Sequence, residues 1–202
     1  MIPSSTPFVI TMVCTGNLCR SPLAERVLQS RLAGFSDVAV TSGGIDAAVG
    51  AVLPDPAVQA ARGQGVDVSG HLPRTFGDDD LARSGLVLAL AREHRKAVVT
   101  MHARASRRTF TLIEFGRLAD EVTDDELVAI ADVPHADAPA RLQKAVTLVA
   151  SLRGHLPVTK SAAAWDVADP YRGTASEYER AAREIARASE QTARLIARAL
   201  AV

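Results

Sequence analysis

The stretch from Phe8 to Glu25 constrains this chain more than any other. Phe8-Val9-Ile10-Thr11-Met12-Val13 is a short, apolar, β-rich run without polar alternation, which predicts a strand buried on both faces, as in a parallel sheet. Gly16 and Asn17 break the run. Ser21-Pro22-Leu23-Ala24-Glu25 then opens a helix: Pro in the first turn sacrifices no hydrogen bond, and Glu25 sits beside the positive end of the dipole. Leu23, Val27, Leu28 and Leu32 share its apolar face, and Gly34 ends it. Strand, tight turn and helix in immediate succession point to an α/β fold with backbone N–H groups converging on the turn, where an anion can sit.

The rest of the chain extends that pattern. Val38 to Thr41 reads as a second strand, followed by a loop from Ser42 to Pro54. Asp55-Pro56 opens a helix to about Arg62, stopped by Gly63 and Gly65. Gly85 to Leu90 is a third buried strand, followed by a helix over about 92–102, and Arg108 to Leu112 suits a fourth strand. Ala119 to Ala138 is acidic and irregular, with Asp124-Asp125-Glu126 and Pro134-His135; a helix from about Pro139 to Arg153 and a loop from Gly154 to Ala168 follow. The last helix spans about 176–199, with small or apolar residues at 181, 185, 188, 192, 195 and 199 on one stripe and its arginines, including Arg183, Arg187 and Arg194, mostly on a solvated face. The expected fold is α/β, a three-layer, doubly wound arrangement on a central four-stranded parallel sheet, in one domain over residues 1–202 with an extended segment at about 119–165.

Charge and cysteine usage narrow the function classes. Lys plus Arg number 23 and Asp plus Glu number 23, so net charge gives no pull toward nucleic acid or anionic membrane, and any anion site must be local. Met1 to Thr6 lacks the basic start and long apolar run of a secretory signal, and no stretch is long and apolar enough to span a membrane. Cys14 and Cys19 are the only cysteines, too close to staple a secreted scaffold, so a reducing, cytoplasmic setting is expected. Their spacing is not Cys-x-x-Cys and no second pair exists, so no metal or cofactor is expected.

Cys14-Thr15-Gly16-Asn17-Leu18-Cys19-Arg20-Ser21 carries the chemistry. A loop between a strand and a helix N-terminus can turn successive N–H groups inward as a nest for a tetrahedral dianion, and the same nest favours a thiolate at Cys14. Arg20 can reach back and grip two phosphate oxygens with its planar fork. Gly16 permits a backbone conformation closed to most residues, and Asn17 tolerates it best among the others. Ser21 can donate a hydrogen bond to the thiolate when it leaves.

Val13 to Glu25, VCTGNLCRSPLAE, resembles the signature of the low-molecular-weight protein tyrosine phosphatases, and Asp169-Pro170-Tyr171 before the last helix resembles that family's Asp-Pro-Tyr motif. The resemblance implies the family's fold. It also implies catalysis by Cys14, Arg20 and Asp169 through a phosphocysteine intermediate, with Asp169 as general acid. It implies binding of phosphate or substrate by Thr15, Gly16, Asn17, Leu18, Cys19, Ser21 and Tyr171. Thr41-Ser42-Gly43-Gly44 and Ser69-Gly70-His71 resemble the segments that supply a Ser and a His beneath the loop, which implies that Ser42 and His71 support it together with Asn17 and Ser21. The implied partner is a phosphorylated protein and the implied product inorganic phosphate.

The chain departs from the family pattern in places. It is longer than the usual member, with the excess between about Ala119 and Trp165. Leu90-Ala91 stands where members usually carry a Met-Asp pair, Arg172 follows Tyr171 where some have a second aromatic, and the Asp46 to Leu53 loop has no aromatic residue. Asp166 is a nearby rival for the acid, although Asp169 has Tyr171 after it. Cys19 either fills space or pairs reversibly with Cys14. Leu18 in the loop matches tyrosine-directed members, whereas Thr109-Phe110-Thr111-Leu112 with Glu114-Phe115 resembles the arginine-directed ones. Arsenate reduction of the thioredoxin-coupled type would need further cysteines. A phosphate-binding module without turnover is the alternative from another class.

Overall fold

A computed structural model describes residues 6–128, 134, 137–156 and 161–201. Strand β1 (Phe8–Cys14) leads into helix α1 (Arg20–Arg31), then β2 (Val38–Gly44), α2 (Asp55–Gly63), α3 (Asp78–Arg83), β3 (Ser84–Ala89) and α4 (Arg92–Met101). There follow β4 (Thr109–Thr111), α5 (Leu112–Glu121), α6 (Asp124–Val128), α7 (Ala138–Ser151) and α8 (Ala175–Ala201). The four strands form one parallel sheet in the order β2-β1-β3-β4. From β1 the chain winds first to one side and then to the other, so the C-terminal end of β1 lies at the switch point, where open parallel sheets leave a crevice.

Alternate residues of the central strands serve opposite faces. Ile10, Met12 and Cys14 of β1, with Leu86 and Leu88 of β3, join the large core cluster that includes α1, α2, α5, α7 and α8. Val13 and Val87 point the other way, into a smaller cluster with Phe76, Leu81, Val98 and Ala105. Helices on both faces explain why β1 and β3 are apolar throughout. The α8 stripe at 181, 185, 188, 192, 195 and 199 is buried, while Arg183, Arg187 and Arg194 are exposed. Buried Arg141 of α7 donates to the Ala199 carbonyl (3.2 Å), one of the acceptors that the end of α8 leaves unpaired.

The structure departs from the sequence expectation at several points, among them helix α3, which the sequence reading lacked. Ser42, Gly43 and Gly44 belong to β2, not to the following loop, because they pair in register with Met12, Val13 and Cys14. The fourth strand stops at Thr111, and Leu112 opens a helix absent from the sequence reading. Its signal is a capping box: Thr111 Oγ1 accepts from Glu114 N, and Glu114 Oε2 accepts from Thr111 N (both 3.1 Å). The stretch read as irregular holds the end of α5 and all of α6, the latter tied down by reciprocal Thr123–Glu126 bonds. His135 and residues 157–160 of the extended segment lie outside the described residues. Among the described residues no helix is long and apolar enough to cross a membrane.

Candidate active site

The Cys14–Arg20 loop leaves the end of β1 and enters α1 against a second loop at 45–48. Ile45 N, Asp46 N and Ala48 N donate to the carbonyls of Cys14, Thr15 and Gly16 at 3.0, 3.1 and 3.1 Å. In a trans peptide the C=O and the next N–H point in opposite directions. Those outward carbonyls therefore turn the N–H groups of Thr15, Gly16 and Asn17 inward, as a concave nest of donors. Gly44 lets β2 run close beneath: a Cβ there would collide with the Thr15 carbonyl oxygen and come 3.0 Å from Asn17 N.

Asn17 is the hub of the loop. It is fully buried, at 0% exposure, and takes the left-handed conformation with φ 55. This corrects the expectation for Gly16, which is not at positive φ. Asn17 Nδ2 donates to Ser21 Oγ and Ser42 Oγ, both at 2.9 Å, and its Oδ1 accepts from His71 Nε2 (3.0 Å) and from Arg74 N (2.9 Å). All four hydrogen-bonding sites of the amide are thus used. An acceptor at Oδ1 fixes the hydrogen of His71 on Nε2, and burial keeps that ring's pKa below its ordinary value. Since Ser21 Oγ already accepts from Asn17, its own hydrogen is directed to Cys14 Sγ at 2.9 Å, with the Gly43 carbonyl more distant at 3.5 Å.

Cys14 and Cys19 are both free thiols. Burial pushes Cys19 up to about 12, and its Sγ lies 4.0 Å from Tyr178 Oη, so it stays protonated at the loop's edge. Arg20, 4% exposed, donates from Nη2 to Asp169 Oδ2 (2.7 Å) and from Nη1 to the Val167 carbonyl (3.1 Å). Those two bonds use two of its five N–H groups and leave the rest for other oxygens.

The arm bearing Asp169 is fastened at several points. Val167 N donates to the Leu90 carbonyl (2.8 Å), and Tyr171 N donates to Asp169 Oδ1 (3.1 Å). Asp166, the rival for the acid, is occupied: it accepts from Arg92 N at 2.7 Å and from Arg92 Nε and Nη2 at 3.0 to 3.2 Å. A cavity of about 220 Å³ lies between loop and arm. Cys14, Thr15, Gly16, Cys19 and Arg20 line its base, and Leu18, Ala48, Asp169 and Tyr171 line its sides. Tyr171, 47% exposed, has the Arg172 guanidinium 5.3 Å from its ring centre. Ser42, Ser21, Asn17 and His71 lie below, outside the cavity lining. Sequence reasoning missed His94, bonded to Thr15, as well as the Arg92 clamp on Asp166 and the Arg74 amide on Asn17. Among the described residues no three His, Cys, Asp or Glu side chains converge as a metal site.

Comparison with known proteins bears on this arrangement. A family model described as low molecular weight phosphotyrosine protein phosphatase matches residues 9–132. The chain is 34% identical over 100 residues to a putative low molecular weight protein-tyrosine-phosphatase of Klebsiella pneumoniae, covering 50% of this chain and 67% of the relative. It is 33% identical over 109 residues to a protein-arginine-phosphatase of Geobacillus stearothermophilus, covering 54% and 72%. The solved structure of Wzb from Vibrio vulnificus in complex with benzylphosphonate aligns with a TM-score of 0.63 at 22% identity, over 93% of this chain and 97% of that one. At that identity the likeness speaks for the fold.

Proposed function

The chain belongs to the low molecular weight phosphotyrosine protein phosphatase family, and on that premise we propose that it hydrolyses protein phosphotyrosine through a phosphocysteine formed on Cys14. The observation that carries the reading is the placement of the Cys14 thiol, the inward N–H groups, Arg20 and Asp169 around one small cavity. Cys14 Sγ attacks phosphorus as the thiolate, and the bond to the leaving oxygen breaks as Asp169, entering the step as the carboxylic acid, gives that oxygen its proton. The loop N–H groups and the remaining Arg20 N–H groups meet the charge on the equatorial oxygens. In the second step Asp169, now a carboxylate, takes a proton from water, which attacks phosphorus. Cys14 leaves as a thiolate that accepts the hydrogen bond of Ser21, and inorganic phosphate is released. Leu18 and Tyr171 offer an apolar side and an aromatic edge, which supports a flat phosphoaryl substrate.

A second reading is hydrolysis of protein phosphoarginine. Its support is the relative named as an arginine phosphatase, at an identity close to that of the tyrosine-directed relative. The test is para-nitrophenyl phosphate turnover under reducing conditions by wild type and Cys14→Ser, followed by phosphotyrosine and phosphoarginine peptides. Turnover lost in Cys14→Ser, with phosphotyrosine preferred, is the expected result. Preference for phosphoarginine selects the second reading. Phosphopeptide binding without turnover by wild type would replace both with a binding module.

A further inference from the structure

Thr15 follows Cys14 and lines the cavity, and its Oγ1 lies 2.9 Å from Nε2 of His94, in the first turn of α4. His94 is fully buried. Its Nε2 is also 3.4 Å from Glu93 Oε1, and its Nδ1 has no hydrogen-bond partner among the described residues. Burial and the nearby Arg20 charge push this imidazole down to about 4, so near neutral pH the ring is uncharged and carries one N–H. The position of that hydrogen follows from the partners. The Glu93 carboxylate only accepts, so it favours hydrogen on Nε2. Hydrogen on Nδ1 would be an orphaned buried N–H, the rarer of the two ways to leave a group unpaired. Nε2 therefore donates to Thr15 Oγ1. A hydroxyl that accepts there keeps its own hydrogen to give, and Thr15 Oγ1 has no second hydrogen-bond partner among the described residues.

We propose that His94 is a positioning residue that turns the Thr15 hydroxyl into a hydrogen-bond donor aimed into the cavity, where it binds an oxygen of the phosphoryl group. The pair supplies one side-chain donor beyond the loop amides and Arg20, on the side of the loop away from the Asn17 hub. The inference rests on reading the Cys14 cavity as the phosphoryl site, and it names a contact that this reading does not itself require.

The experiment measures kcat and KM for para-nitrophenyl phosphate, and competitive inhibition by inorganic phosphate, in wild type, Thr15→Val, His94→Gln, His94→Ala and the double variant Thr15→Val/His94→Ala. A hydrogen bond to a charged acceptor predicts a phosphate inhibition constant about tenfold higher for Thr15→Val. His94→Gln, whose amide N–H replaces the Nε2 donor, stays near wild type. His94→Ala resembles Thr15→Val, and the double variant is no worse than either single one. In ¹⁵N NMR of wild type at pH 6 the imidazole shows hydrogen on Nε2. Wild-type phosphate affinity in Thr15→Val, additive losses in the double variant, or hydrogen on Nδ1 would each overturn the inference while leaving the phosphatase reading intact. Thr15→Val is close to isosteric, so the test survives if His94→Ala does not fold. A wild type that neither turns over substrate nor binds phosphate overturns the cavity reading and this inference with it.

Discussion

Beneath the Cys14 loop, Asn17 is fully buried and every hydrogen-bonding site of its amide meets a serine, a histidine or a backbone N–H, whereas across the cavity the 166–171 arm is fastened by the Arg20–Asp169 and Arg92–Asp166 ion pairs. The Asp169 side chain remains 52% exposed. A buried, fully satisfied network has one arrangement and loses heavily when broken. Partly exposed ion pairs contribute little to stability and weaken in salt. The base of the cavity is thus held in one arrangement. The arm holds a half-exposed carboxylate beside the cavity, and Val167 N on the Leu90 carbonyl ties its backbone to the sheet end.

Experiments can break or sharpen that contrast. The largest effect is expected on the arm's chemistry: Asp169→Asn keeps the fold and its bond to Tyr171 N, yet lowers kcat by about 10²- to 10⁴-fold, the range for loss of a general acid. A decrease under threefold would return Asp166 as the acid. Asn17→Ala comes next and strikes stability first. It removes the acceptor of two N–H donors, His71 Nε2 and the Arg74 amide, and at about 1–3 kcal/mol for each donor left unpaired a loss of about 2–6 kcal/mol is expected in urea unfolding. A loss under about 1 kcal/mol would mean that the hub is not the keystone of the loop.

Acid should act on the base of the cavity as well. His71 and His94 are both held below the ordinary 6.5 by burial, His94 to about 4. The unfolded chain takes up these protons at higher pH than the folded one. Their contribution is therefore complete above about pH 6.5 and is lost as pH falls toward 4. Around His94 stand Glu93, Arg20, Asp166 and Asp169, and around His71 stand Glu25, Arg26 and Arg74. Thermal melts should show a decline across that window, flatter in His94→Gln. An equal decline in the variant would place the sensitivity elsewhere. The smallest effect is Asp166→Asn: less than about 1 kcal/mol of stability, a kcat lowered a few-fold, and a weaker salt dependence than wild type. Unchanged kcat and salt dependence would mean that the Arg92 clamp does not position the acid.

Much of the site was legible because it is local. The loop from Cys14 to Ser21, the helix start at Pro22 and the Asp169-Pro170-Tyr171 motif are short-range patterns. The placement of Ser42 and His71 against Asn17 followed only from resemblance, since nothing in their own neighbourhoods requires it. Helix α5 was missed although its capping box, Thr111 and Glu114, stood in the sequence, because Thr109 to Leu112 also reads as a strand. Gly16 was credited with the left-handed turn that Asn17 takes: propensity allows both residues there, and only the four bonds on the Asn17 amide decide between them.

The sequence by itself determined the parallel strand, the tight turn after it and the helix that follows, because hydrophobic run, turn residue and helix start lie within a few residues of one another. Tertiary structure alone decided that His94, 79 residues away, meets Thr15, that Asp166 is occupied by Arg92 while Asp169 reaches Arg20, and that the 45–48 loop draws the carbonyls of Cys14 to Gly16 outward. Those contacts join segments brought together by the sheet order, and a hydrogen bond depends on where its two atoms end up in space, which spacing along the chain does not encode.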